Sequence, residues 1–179
     1  MLYEAQFRNP AGAGKLIQAI RDMDLPELRI MEICGTHTMS IAKAGLRQIL
    51  PPHIHLISGP GCPVCVTPSG VMDEVLRISQ LPNVTITTYG DLLRVPGSVP
   101  GDNLQRRSAQ GADVRMVYSP MDSLDMAEQE PDREFIFLGV GFETTAPGTA
   151  IAVQEAKARG RKNFSLLSLL KRTEPAMRA

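Results

Sequence analysis

Short apolar or β-branched runs alternate with segments of helical period along almost the whole chain, and this alternation limits the fold more than any other feature. Residues 28–33 (LRIMEI), 54–57, 84–88 (VTITT), 114–117, 134–138 (EFIFL) and 164–169 read as strands. Between them, helices are expected over 13–22, 40–50, 68–79, 104–110, 121–129 and 148–158. Leu16, Ile17 and Ile20 share a face of the first, and Val71, Val75 and Ile78 a face of the third. Pro68 suits a first helical turn, with Thr67 as its N-cap. Strands and helices in this order imply βαβ units, so the fold class is α/β, a parallel β-sheet flanked by helices. The Pro/Gly-rich stretch 94–103 and the acidic stretch 128–134 are the linker candidates. The second suggests a first α/β domain over 1–132 and the beginning of a second, similar one over 133–179.

Composition narrows the function. Nineteen Lys and Arg balance nineteen Asp and Glu, so there is no electrostatic footprint of nucleic-acid binding. Aromatic residues make up 4% and Trp is absent, which argues against stacking platforms for single strands. No apolar run approaches the roughly 20 residues of a membrane span. The N-terminal stretch MLYEAQFRNP is charged early and lacks the apolar core of an export signal. Three cysteines are too few and too odd for a disulfide framework, so a cytoplasmic, reducing location is expected.

Those cysteines are the chemical centre. Strand 28–33 runs into Cys34-Gly35-Thr36-His37, and strand 54–57 into Gly59-Pro60-Gly61-Cys62-Pro63-Val64-Cys65. Ligands of open parallel sheets sit beyond the carboxyl ends of strands, and a thiol near a helix N-terminus is biased towards the reactive thiolate. Three readings compete. Cys34-x2-His37 with Cys62-x2-Cys65 is a Cys3His set suited to structural zinc. Cys62 and Cys65 have the CxxC spacing of a stand-alone thiol–disulfide oxidoreductase. Cys34 could instead be a soft ligand for iron or another transition metal, with His37 beside it and the CxxC pair supplying electrons. Against all three stands burial of the cysteines as small hydrophobes.

Other features are weaker. Gly139-Val140-Gly141-Phe142-Glu143-Thr144-Thr145 follows a strand and opens a helix. It lacks the third glycine of a dinucleotide fingerprint and places a carboxylate where a pyrophosphate would sit; Thr144 or Thr145 as a helix cap is the plainer reading. Asp91, after strand 84–88, is an acid/base candidate or simply a helix cap. His53 and His55 fall at the opposite sheet edge and read as surface or packing residues.

Taken together, MEICGTHTMSIAKAGL, ISGPGCPVCVTP, YGDLLRVPGS, GADVRMVYSPMDSLDMA and FLGVGFETTAPGTA resemble the HypD family of hydrogenase maturation proteins, in the same order over residues 28–168. The resemblance implies a maturation scaffold with a redox function rather than a conventional turnover enzyme. On it the Fe(CN)2CO moiety of nickel–iron hydrogenase would be assembled with a small HypC-like partner and a HypE-like cyanide donor. Carried over by motif, Cys34 is the iron ligand and His37 lines its site. Cys62 and Cys65 are the redox pair, and Asp91 is the family's acidic position. Glu143, Thr144 and Thr145 face the same cleft. The family's C-terminal 4Fe-4S cluster has no ligands here, since no cysteine follows Cys65. The resemblance therefore implies a fragment or truncated form, whose residues after Arg133 expose apolar surface that further strands would cover.

Overall fold

The computed structural model describes residues 9–178. The N-terminal stretch read above for an export signal lies outside the described residues, apart from its last two positions. The fold is α/β, with parallel strands flanked by helices, and the chain divides into two compact units, 1–61 and 62–179.

The first unit contains α1 (Pro10–Arg21), β1 (Leu28–Glu32), α2 (Gly35–Lys43), α3 (Leu46–Ile49) and β2 (Ile54–Ser58). Asn9 caps α1 by accepting the N–H groups of Ala11 and Gly12, and Pro10 fills the first helical position. β1 and β2 pair in parallel, Leu28 opposite Ile54 through Glu32 opposite Ser58. The helix expected over 40–50 is two helices. The CGTH stretch, read as a loop, already forms the first turn of α2, and Gly45 at φ +63° separates α2 from α3. Of the described residues of this unit only Pro51 is buried. Ile30, Met39 and Ile57 are exposed despite their size.

The second unit has the denser core. It runs through α4 (Ser69–Ile78), β3 (Val84–Thr88), a 3-10 turn (Gly90–Arg94), α5 (Leu104–Ala109), β4 (Asp113–Met116), α6 (Pro120–Gln129), β5 (Glu134–Gly141), α7 (Ala146–Ala158), β6 (Phe164–Leu170) and α8 (Glu174–Arg178). All four strands are parallel in the order β4-β3-β5-β6. β3 is flanked on both sides, which is why Thr85, Thr87 and Thr88 are buried along with Ile86. The hydroxyl of Thr85 donates to Asp113 at 2.8 Å, and that of Thr87 meets Ser123 at 2.6 Å. Phe135 and Phe137 are fully buried beside Leu138, with Leu76, Leu92 and Leu124 also sealed from solvent. Ser119 and Asp122 form a reciprocal capping box at α6.

This pairing differs from the boundary expected at 132/133. β5 lies beside β3, with Val84 opposite Glu134 and Thr87 opposite Phe137, so the acidic stretch before β5 is a connection within one sheet. Alternating period marks strands but not which strands become neighbours. At the far side β6 has, among the described residues, β5 alone as a strand partner, and Ile151 and Val153 of α7 are exposed.

Candidate functional site

In the first unit Cys34 is the N-cap of α2, with Gly35, Thr36 and His37 in the first turn. No cap hydrogen bond closes onto its sulfur. The Thr36 backbone N–H, then its hydroxyl, and the His37 N–H nevertheless hold the thiol below its ordinary pKa, against opposing burial and the charge of Glu32. The thiolate is therefore easier to form at Cys34 than at an ordinary thiol. His37 is exposed.

Glu32 belongs to this site and was not singled out from the sequence. Its carboxylate accepts the Thr38 hydroxyl, while Thr38 N–H donates to the Cys34 carbonyl at 3.0 Å. Thr38 above all, helped by Ser58, the Cys34 N–H and His37, keeps Glu32 below the usual carboxylate range. The one signal available was an acidic residue at the end of the strand, directly before the CGTH stretch. Gly59 leaves β2 against this strand end, its N–H donating to Glu32 O at 2.8 Å. A Cβ there would stand 2.5 Å from that carbonyl oxygen and 3.1 Å from Met31 Cγ. Gly59→Ala must therefore displace backbone, and it should lower stability by about 1–3 kcal/mol, read as a shift of the thermal midpoint of the whole chain.

In the second unit Cys62 is half-buried and Cys65 exposed, their sulfurs 3.0 Å apart. The Cys65 N–H points at Cys62 Sγ, 3.4 Å away. The loop is stiffened by Val66 N–H to Cys62 O (3.1 Å), Thr67 N–H to Val64 O (3.2 Å) and the Thr67 hydroxyl to Pro63 O (2.8 Å). Thr67 is thus committed to the loop, and the residue at the cap of α4 is Pro68, correcting the expected cap. The loop feeds α4, which runs into central strand β3.

The strand order places a switch at the middle of the sheet: the chain leaves β3 towards β4 on one side and returns to β5 on the other. The loops leaving β3 and β5 diverge there, the usual place for a ligand in an open α/β sheet. The β3 exit carries Asp91 in the first turn of its 3-10 helix. A cavity of about 420 Å³ joins this exit to the cysteine loop, lined by Val64, Cys65, Thr67, Asp91, Arg94 and Val95 among others. The β5 exit carries Glu143, Thr144 and Thr145. Glu143 is held by Thr173, whose N–H donates at 2.8 Å and hydroxyl at 3.0 Å, and its pKa is lowered by its own N–H and then that of Thr173. Thr144 is exposed. Thr145 occupies the N-cap of α7, but its hydroxyl donates back to Phe142 O at 2.9 Å rather than capping. Asp91 and Cys65 therefore share a cavity, whereas Glu143, Thr144 and Thr145 are not among its lining residues.

Arg94 lines the cavity, and the segment that follows it is tied to α4. Ser98 donates to Asp73 from its N–H (2.7 Å) and its hydroxyl (2.5 Å). These two bonds hold the Asp73 carboxyl below its ordinary value. A carboxyl lowered by folding stabilises the fold above its unfolded pKa, and the contribution disappears as pH falls through the folded value. The 94–103 segment should loosen below about pH 4, seen as a loss of amide protection at Ser98 relative to its intrinsic exchange rate. Asp73→Asn should show the lowered protection already at neutral pH, with no further loss on acidification.

Among the described residues no group of three or more His, Cys, Asp or Glu stands ready to hold a metal. Nor is any described helix long and apolar enough to cross a membrane.

An α/β protein that presents thiols at the carboxyl ends of parallel strands is the class these features define. Comparison with known proteins makes it specific. The family model HypD, described as "Hydrogenase formation hypA family", matches residues 12–179, and the chain belongs to that family. It is similar to the hydrogenase maturation factor HypD of Rhizobium leguminosarum bv. viciae, 46% identical over 168 residues, 93% of this chain and 43% of the relative. The HypD of Escherichia coli is 48% identical over 172 residues, 92% of this chain and 45% of the relative. That of Azotobacter vinelandii is 44% identical over 181 residues, all of this chain and 48% of the relative. The chain thus spans less than half the length of these relatives.

Proposed function

We propose that this chain is the iron-handling part of a hydrogenase maturation scaffold. Its cargo is iron carrying cyanide and carbon monoxide, Fe(CN)2CO, held by Cys34 while a small HypC-like partner and a HypE-like cyanide donor act on it in the cytoplasm. The observation that carries the reading is the Cys34 thiol at the first turn of α2, biased towards thiolate by the Thr36 and His37 N–H groups. A soft thiolate suits iron with strong-field ligands. One protein thiolate leaves the remaining positions of the metal to the cargo's own ligands and to donors from the partner. Glu32 and Thr38 steady the backbone that presents Cys34, and His37 stands beside it in the same turn.

Cys62 and Cys65 serve as the electron-relaying pair. Their contact at 3.0 Å lets a disulfide close and open with little movement, and a dithiol can deliver two electrons by exchange. Asp91, which lines the same cavity as Cys65, would move a proton to or from that sulfur. Glu143, Thr144 and Thr145 shape the β5 exit of the same sheet edge. The 4Fe-4S cluster that the family carries elsewhere would be the electron source, since all three cysteines of this chain are already assigned. Iron retention by the complex, with Cys34 intact and replaced, tests the proposal.

A further inference from the structure

The two thiols of the CxxC loop are not equivalent. Cys65 is exposed and forms part of the wall of the cavity of about 420 Å³, whereas Cys62 is half-buried and is not among the residues lining it. Val64, Val95 and Pro96 give the cavity an apolar side, and Thr67, Asp91 and Arg94 a polar one. Arg94 Nε donates to the neutral Gln105 side chain at 3.2 Å. Behind Cys65, Cys62 Sγ is already in contact with it, on a turn closed by three hydrogen bonds. Exchange requires a thiolate to reach the disulfide it attacks in line, so access decides which sulfur is engaged first. A held neighbouring thiol then closes the ring at high effective concentration.

From this arrangement we infer an order of reaction, resting on the reading of the pair as redox-active: Cys65 is the entry thiol for a disulfide-bearing partner segment seated in the cavity, and Cys62 is the resolving thiol. In the first step the Cys65 thiolate attacks a disulfide R–S–S–R. One Cys65–S–S–R bond forms and one R–S⁻ leaves. In the second the Cys62 thiolate attacks the Cys65 sulfur of the mixed disulfide, the Cys62–Cys65 disulfide forms and the second R–S⁻ leaves. The pair loses two electrons and the partner disulfide gains them. The two thiol protons end on the released thiolates. Run backwards, the same steps reduce the pair through a mixed disulfide again held on Cys65.

Dithiobis(nitrobenzoate) is the probe, applied to the whole chain in a Cys34→Ser background and read by released nitrothiobenzoate and by mass. With both loop cysteines present, two equivalents are released per pair and no adduct remains. Cys62→Ser releases one equivalent and keeps the adduct on Cys65. Cys65→Ser reacts roughly tenfold or more slowly than Cys62→Ser, because Cys62 is the less accessible sulfur. If Cys65→Ser reacts as fast as Cys62→Ser, or faster, the order is overturned while the redox pair stands. If the unsubstituted pair retains adducts without closing, the redox reading fails and the order with it.

Discussion

Replacing Cys34 by alanine should empty the complex of iron. A chain purified with its small partner and its cargo is expected to carry iron in stoichiometric amount, and Cys34→Ala to carry only background, by metal analysis and by loss of the infrared bands of bound cyanide and carbon monoxide. The effect is expected to be near total because Cys34 is the one thiolate of this chain to which the proposed function assigns the metal. Neighbouring groups should matter by degrees. Losing a residue that steadies a metal ligand typically costs about 10–100-fold in metal affinity. Glu32→Gln, which keeps the shape but weakens the bond accepted from Thr38, should fall in that range, and the exposed His37, as alanine, at its lower end. Unchanged iron in Cys34→Ala would remove the thiolate from the metal and with it the proposed function. Iron lost equally in Cys34→Ala and in Cys62→Ser would show instead that retention needs the redox pair.

VTITT was legible as a strand because β-branching marks extended backbone. That it lies at the centre of a sheet was not, because its burial depends on β4 and β5, which arrive later in the chain. β5 was read three residues short. Gly139 and Gly141 suggest a turn in a sequence, yet they continue the strand to Gly141, where a Cβ on Gly139 would stand 2.8 Å from Leu166 Cδ1. Small size there serves packing against β6. The start of α2 was missed in the same way. Gly35, Thr36 and His37 carry no apolar stripe, so the helical period becomes visible only after the residues that hold Cys34 have passed. The cysteine loops could be read from spacing alone, and Asp91 from its place after a strand. Glu32 and Arg94 could not, because each acquires its role from a contact or cavity made by residues distant in the chain.

Phe137→Ala should be the most damaging substitution in the second unit. Phe137 is fully buried on β5, opposite Thr87 of β3 on one side and Leu166 of β6 on the other. Its ring meets Tyr89 edge to face, with centroids 5.5 Å apart and planes at 89°, an arrangement that contributes beyond simple burial. Truncation to alanine in a packed core typically costs about 3–5 kcal/mol, equivalent for a chain of this size to a fall of roughly 10 °C in Tm. Phe137→Leu should cost clearly less, since it refills most of the volume and loses mainly the ring contact. The consequence reaches the cavity. Tyr89 immediately precedes Gly90–Arg94, the turn that brings Asp91 and Arg94 to the wall shared with Cys65. Burial, and then the charges of Asp91 and Asp122, already push the Tyr89 hydroxyl above its ordinary pKa. Without Phe137 beneath it, Tyr89 becomes more solvated and that displacement shrinks, so its ionisation, followed by ultraviolet difference absorbance, should move back towards the value of a free tyrosine. A stability loss below about 1 kcal/mol would mean that the sheet closes over the gap and that the Phe137–Tyr89 contact does not set the position of the cavity wall.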